Sequence, residues 1–300
     1  MPRMTAMSDS AMIPGERYRE RPRVASFGEL LWDLFPEGPK LGGAPANLAF
    51  HAQKLGAEAL LITEVGRDEL GERALFRLEE AGVKVLCAKK SQAPTGRVLV
   101  SMRNGEPSYE IASPAAWDEI QVSEEDKAAV LRADVLCFGT LAARAPTSRA
   151  TLDALLSLAG SRTAPWSFLD LNLRAPYDDR TTIEFCLARA RALKMNEAEL
   201  EQLGRVFETS TPLDFLQSRF TPAFICVTRG PRGATLYDSE GALEVDAFPS
   251  RGNHPVGAGD AFSAGLVVAL ARGQDRKTAL SIAAERAARV AELPGAMPHF

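Results

Sequence analysis

Between Asn253 and Gly265 the chain reads NHPVGAGDAFSAG, which sets one carboxylate, Asp260, behind three small residues at the point where an apolar run begins. Gly257, Ala258 and Gly259 leave their backbone N–H groups open to an anion, since no large side chain blocks the approach and a helix N-terminus adds partial positive charge. A carboxylate beside such a cradle can take the proton of a hydroxyl while the amides stabilise charge on a transferring phosphoryl group. Spacing excludes two other phosphate motifs: no G-x-x-x-x-G-K-[ST] occurs, and G-x-G-x-x-G fails because Phe262 stands where the third glycine belongs. Viewed alone, the same residues also describe a helix start capped by an aspartate.

A second cluster of small residues, LGGAPANLAFHAQKLG from Leu41, opens another helix and projects Asn47 near its start. Upstream, FGELLWDLFPEG places Glu29 and Asp33 at the end of the first strand. Polar groups at the carboxyl end of a strand and at a helix N-terminus can converge on the hydroxyls of a polyol. Asn47 as a plain helix cap and Asp33 as a turn former are the alternatives.

The elements that must hold these groups are short apolar runs alternating with longer helical patterns. RVASFG from Arg23, ALLITEVG from Ala59, DVLCFG from Asp134, WSFLDLN from Trp166 and AFICVTRG from Ala223 read as strands. Amphipathic stretches at Ala46–Leu55, Leu70–Ala81, Thr147–Ala159, Ile183–Arg191 and Lys277–Val290 can each bury one face. The alternation predicts a parallel sheet covered by helices. Arg97–Met102 and Ser108–Ile111 break the rhythm and flank RNGE, whose Asn104-Gly105 pair suits a tight turn. They predict an inserted β-hairpin, serving as a lid over the site or as a solvated decoration.

At 300 residues and 46% hydrophobic, the chain can bury a full core. A net charge of -4 supplies no field for a phosphate backbone, so nucleic acid is not an expected partner despite 35 Lys and Arg. Cys87, Cys137, Cys186 and Cys226 lie far apart, with no C-x-x-C pair, and are expected to be reduced, mostly buried thiols of a cytoplasmic protein. Nowhere do about 18 uninterrupted apolar residues occur, so no membrane span is expected. Residues 1–22 mix Met, Arg, Glu, Ser and Pro and read as a disordered leader rather than a signal peptide, ahead of a single domain over 23–300.

Together, the two glycine clusters resemble the two signatures of the ribokinase-like, PfkB-type carbohydrate kinases, in the right order and about 200 residues apart. Within that family, GELLWDLFPEG and LGGAPANLAFHAQKLG look most like bacterial fructokinases. The resemblance implies a three-layer α/β/α sandwich with a mostly parallel central sheet and a small β-hairpin lid at about 96–112. It also implies ATP-dependent transfer of the γ-phosphoryl group to a primary sugar hydroxyl, Mg²⁺, and a homodimer through the lid. By motif, Asp260 resembles the catalytic base, Gly257, Ala258 and Gly259 the anion hole, and Asp33, Gly42, Gly43 and Asn47 the sugar-binding positions. MNEAEL resembles the family's N-x-x-E block, with Asn196 and Glu199 organising Mg²⁺ through water. VTRGPRG resembles the nucleotide-contacting strand and turn through Thr228, Gly230 and Gly233. DLNLR resembles the D-x-N-x-R block, with Asp170 and Asn172 near the phosphates and Arg174 near substrate or phosphate.

One position departs from the pattern. His254, six residues before Asp260, stands where relatives commonly carry an aspartate of a monovalent-cation site, which puts K⁺ activation in doubt. Fructose is the expected acceptor. A carboxylate fork of Arg97 and Arg174 would favour 2-keto-3-deoxygluconate instead, and ribose or a nucleoside is a further alternative. From another class, a non-catalytic sugar- or nucleotide-binding relative would keep the fold without turnover.

Overall fold

Apolar runs of four or five residues form buried strands where helices can cover them on both faces. A computed structural model describes residues 18–35, 37–86, 91–103, 106–158, 165–252, 254 and 256–298. The expectations for most of the leader, for Cys87 and for the Asn104-Gly105 turn lie outside these residues.

The chain begins with β1 (Arg23–Phe27), β2 (Leu31–Phe35), β3 (Gly38–Gly42), α1 (Ala44–Lys54), β4 (Glu58–Ile62), α2 (Glu69–Glu80), β5 (Lys84–Leu86), β6 (Gly96–Arg103) and β7 (Glu106–Ile111). It continues with α3 (Glu124–Leu131), β8 (Val135–Phe138), α4 (Pro146–Leu158), β9 (Trp166–Asp170), α5 (Arg180–Leu187), β10 (Ala192–Asn196), α6 (Glu197–Val206) and α7 (Pro212–Phe220). The last elements are β11 (Phe224–Thr228), β12 (Ala234–Asp238), β13 (Gly241–Val245), α8 (Ala258–Ala271) and α9 (Arg276–Ala291).

The main sheet has the order β13-β12-β11-β10-β9-β8-β1-β4-β5. From β11 to β5 the pairing is parallel, and β12 and β13 add an antiparallel edge. Strand alternation then decides which layer each side chain joins. Val24, Leu61, Cys137, Phe168 and Cys226 pack in one core with α1, α2, α8 and α9. Ala25, Phe27, Leu60, Leu136, Leu169 and Ile225 pack in the other with α3 to α7. These are the three layers of the sandwich. Burial pushes the thiols of Cys186 and Cys226 up to about 12.

The lid is larger than the expected hairpin. β6 and β7 do form an antiparallel pair, but β2 pairs with β6 in parallel and with β3 in antiparallel fashion, giving a four-stranded sheet β3-β2-β6-β7. Asp33 therefore sits inside a lid strand, beyond the end of β1. LWDLF and GPKLG interleave charge, proline and glycine with apolar residues, so neither stretch carries a clear strand pattern. The expected helix Ile183–Arg191 also ends early, at Leu187.

A buried cation fastens the lid root to the body. Arg144 donates from Nε and Nη2 to the two carboxylate oxygens of Asp118, at 2.7 and 2.8 Å. Its guanidinium lies between the rings of Trp117 and Tyr177, and a longer bond reaches the carbonyl of Ala112 just past β7. Gly96, where β6 leaves the body, must be glycine because a Cβ there would come within 2.7 Å of the Trp117 indole nitrogen. Arg144→Ala strands the Asp118 carboxylate, so urea denaturation should show a stability loss of about 3–5 kcal/mol. A change under about 1 kcal/mol, the range of an exposed pair, would show that the clamp carries no such weight.

Candidate active site

The carboxyl ends of the parallel strands all open to one edge, and the chain's winding reverses there between β1 and β8, where ligands gather in open α/β sheets. Glu29 follows β1, and the N-terminus of α1 lies beside it. Glu29 Oε1 accepts from the Ala44 amide, and a Cβ on Gly43 would overlap the Glu29 carbonyl. Gly43, at φ +107°, is thus bare so that α1 can close on Glu29. Gly42 gives the same room to Asp33, whose Oδ2 would lie 2.9 Å from an added Cβ.

Asn47, in the first turn of α1, donates from Nδ2 to Asp260 Oδ2 at 2.7 Å. Two motifs separated by 213 positions meet in that bond. The acceptor oxygen Oδ1 of Asn47 and Oε2 of Glu29 are buried with no hydrogen-bond partner among the described residues. Burial, then the nearby Asp170 charge, pushes Asp260 up to about 7. The Asn47 bond and the charges of Lys194 and Arg174 oppose that rise. Burial likewise pushes Glu29 to about 7 and Asp33 to about 6, and Arg174 draws both back. One guanidinium therefore serves three carboxyl groups.

Gly257 caps α8 in the left-handed conformation, at φ +82°. The first helical bond of α8 runs from Ala261 N–H to the Gly257 carbonyl, so helix geometry leaves the amides of Ala258, Gly259 and Asp260 ahead of it. Lys194 lies beneath this turn, its Nζ 3.3 Å from where a Gly259 Cβ would be. Alternation along β10 sends Lys194 toward α8 while Leu193 and Met195 enter the opposite core. Burial would depress the Lys194 pKa, but the charges of Asp170, Glu199 and Asp260 outweigh it and hold the ammonium above its ordinary value. Positive charge is thus fixed under the amides.

Asp170 is buried at the end of β9. Its two oxygens take Lys194 Nζ at 3.0 and 3.1 Å, and Ser263 Oγ donates to Oδ2 at 2.6 Å. Asp170 thus holds the lysine beneath the first turn of α8. Lys194 itself is the residue that sequence reasoning missed, although its position two residues before Asn196 is a usable signal.

Asn196 and Thr228 are register partners at the carboxyl ends of β10 and β11, and Gly230 and Gly233 shape the turn that follows. Gly233 must be bare because a Cβ would overlap the Val245 carbonyl. Asn172 turns the chain after β9 in a left-handed conformation, at φ 44°. Asn196 and Glu199 form a reciprocal capping box at the start of α6, and Glu199 Oε1 also accepts from the Leu173 amide at 2.9 Å. Glu199 is buried, and burial raises its pKa. No group of three or more ligating side chains occurs among the described residues. These oxygens fit Mg²⁺ held chiefly by phosphates and water, the usual habit of that hard cation.

The structure keeps Arg97 and Arg174 apart. Arg97 pairs with Trp32 and Val98 with Asp33, so alternation turns Arg97 to the lid face opposite Asp33, where its charge acts on Asp68. The carboxylate fork does not form. His254 is exposed, and its backbone N–H donates to the Ala291 carbonyl.

A family model described as pfkB family carbohydrate kinase matches residues 12–299. A fructokinase of Klebsiella pneumoniae is 31% identical over 267 residues, covering 83% of this chain and 84% of that protein. The structure of a sugar kinase of Pyrococcus horikoshii in complex with ATP superposes with a TM-score of 0.79 at 25% identity, covering 91% of this chain and 94% of the other. A fructokinase of Vibrio cholerae bound to fructose, ADP and calcium shares the fold with a TM-score of 0.78 at 22% identity, over 92% and 94% of the two chains.

A carboxyl group with a pKa of about 7, such as Asp260, must lose its proton before it can act as a base. kcat/KM for phosphoryl transfer should therefore rise with pH through a limb near 7, not near 4. Arg174→Gln removes positive charge that favours the carboxylates, so the limb should move to higher pH. A limb that stays in place in Arg174→Gln would remove Arg174 from the electrostatics of the base.

Proposed function

We propose, for a chain that belongs to the pfkB family of carbohydrate kinases and so is an ATP-dependent sugar kinase, that its acceptor is a neutral ketohexose, fructose, and that Asp260 is the base. The observation that carries this reading is the Asn47–Asp260 bond, flanked by the unpartnered Asn47 Oδ1 and Glu29 Oε2. Buried acceptors without donors are suited to the O–H groups of a polyol. Glu29, Asp33 and Asn47 would orient the sugar and bring one primary hydroxyl to Asp260. As the hydroxyl oxygen attacks the γ-phosphorus, Asp260 takes its proton and the bond to the ADP oxygen breaks. The amides of Gly257, Ala258 and Gly259, with Lys194 beneath them, would hold the charge on the moving phosphoryl group. Thr228, Gly230, Gly233 and Asn172 would line the nucleotide end. Mg²⁺ would neutralise phosphate charge, oriented by Asn196 and Glu199 through water.

A sugar acid is disfavoured. Arg174 and Lys40 both already act on Asp33, and Arg97 faces the other way. The names of the Klebsiella and Vibrio relatives agree with fructose. Exposed Leu99, on the lid face turned away from Asp33, supports the pairing of two copies through their lids. A cytoplasmic location fits the buried free thiols, and no helix among the described residues is long and apolar enough to cross a membrane.

ADP release measured across fructose, 2-keto-3-deoxygluconate, ribose, other hexoses and adenosine should show a clear preference for fructose. Asp260→Asn should lower kcat by about 10²–10⁴-fold while sugar binding persists. A preference for the keto acid would overturn the acceptor assignment, and an active Asp260→Asn would overturn the base. With His254 in place of an aspartate, turnover in K⁺ should match turnover in Na⁺. A several-fold activation by K⁺ would show that a cation site survives without that side chain.

A further inference from the structure

One helical turn beyond Asn47, His51 is fully buried on α1. Arg286 of α9 donates from Nη2 to His51 Nδ1 at 3.1 Å. A guanidinium has only donors, so Nδ1 must accept and the proton of the neutral ring must sit on Nε2. That Nε2–H donates to the Ala296 carbonyl at 2.9 Å. Burial and the Arg286 charge push the imidazole down to about 3, so the ring stays neutral at working pH.

Ala296 is also the backing of the anion hole. A Cβ on Gly257 would come within 2.6 Å of the Ala296 Cα, so the left-handed turn that aims the cradle packs directly on this residue. The approach to the cradle leans on the same wall. His254 N–H donates to the Ala291 carbonyl at 3.0 Å, and Gly252 lies so close to that carbonyl that no Cβ could fit. α9 and the segment after it therefore form one wall behind Gly252, His254 and Gly257, and His51 makes a polar contact between this wall and α1.

We propose that His51 is a positioning residue for the anion hole: through Ala296 it fixes the surface on which Gly257 turns, and Arg286 holds its ring in the donating tautomer. The proposal rests on the reading of Gly257–Gly259 as the phosphoryl cradle. It gives α1 two functions one turn apart, since Asn47 holds the base and His51 holds the wall behind the amides.

The test compares His51→Leu with His51→Gln, whose amide can still donate to Ala296 and accept from Arg286. His51→Leu should lower kcat about tenfold, well inside the ~10²-fold that a misplacement of ~1 Å can cost, while the KM for fructose stays within about twofold. His51→Gln should restore most of the loss. Amide hydrogen exchange over 256–262 should quicken in His51→Leu and return toward wild type in His51→Gln, a readout that needs no turnover. Because His51→Leu removes one acceptor of the buried Arg286, the double variant His51→Leu/Arg286→Leu should show the same kcat loss with better stability. Unchanged exchange, a loss that glutamine does not restore, or an effect confined to KM would overturn the proposal. If wild type itself fails to phosphorylate sugars, the kinase reading falls, and the exchange comparison still decides whether His51 positions the loop.

Discussion

The bond from Asn47 to Asp260 is the constraint on which the rest of the site depends. It ties a carboxylate to a helix N-terminus, where desolvation pushes Asp260 up to a pKa of about 7 against the opposing pull of the bond itself. A group poised there can both accept and release a proton near neutrality. The neighbouring charges set that value within bounds: Asp170 raises it, and Lys194 and Arg174 restrain it. A site crowded with Glu29, Asp33 and Asp260 would repel itself were the positive charges not placed among them.

The sheet makes that balance possible. Parallel strands end together, so residues from β1, β9, β10 and β11 reach one edge without any of them being neighbours in sequence. Alternation then sorts them. On β9 and β10, Asp170 and Lys194 point to the α8 side and form the buried pair under its first turn, while Leu169, Leu193 and Met195 complete the opposite core. The lid carries Asp33 on one face and Arg97 on the other, so strand alternation rather than composition separates the two charges.

Much of this was legible in the residues. The five apolar runs are strands, the expected amphipathic stretches are helices, and GAGD does begin a helix. Other elements escaped for physical reasons. β10 carries a lysine in its centre and reads as polar until Asp170 is known to pair with it. β2 and β3 lack a hydrophobic period because a lid strand is only half buried, so its pattern is set by ligand and solvent as much as by a core. Asn196 and Glu199 carry a capping pattern whether or not a nucleotide binds nearby, and only burial of Glu199 distinguishes this box from a solvated one.

By itself the sequence determined the kinds of local structure: where small residues permit a left-handed turn, where a helix can start, and which runs can be buried. Those are properties of side-chain size, branching and polarity over a few neighbouring positions. Only the tertiary structure decided which groups meet and in what protonation state. Asn47 and Asp260 become partners because α1 and α8 pack side by side on one face of the sheet. Asp260 acquires its pKa because that packing excludes water and gathers distant charges, and desolvation and Coulomb energy depend on distance in space rather than along the chain.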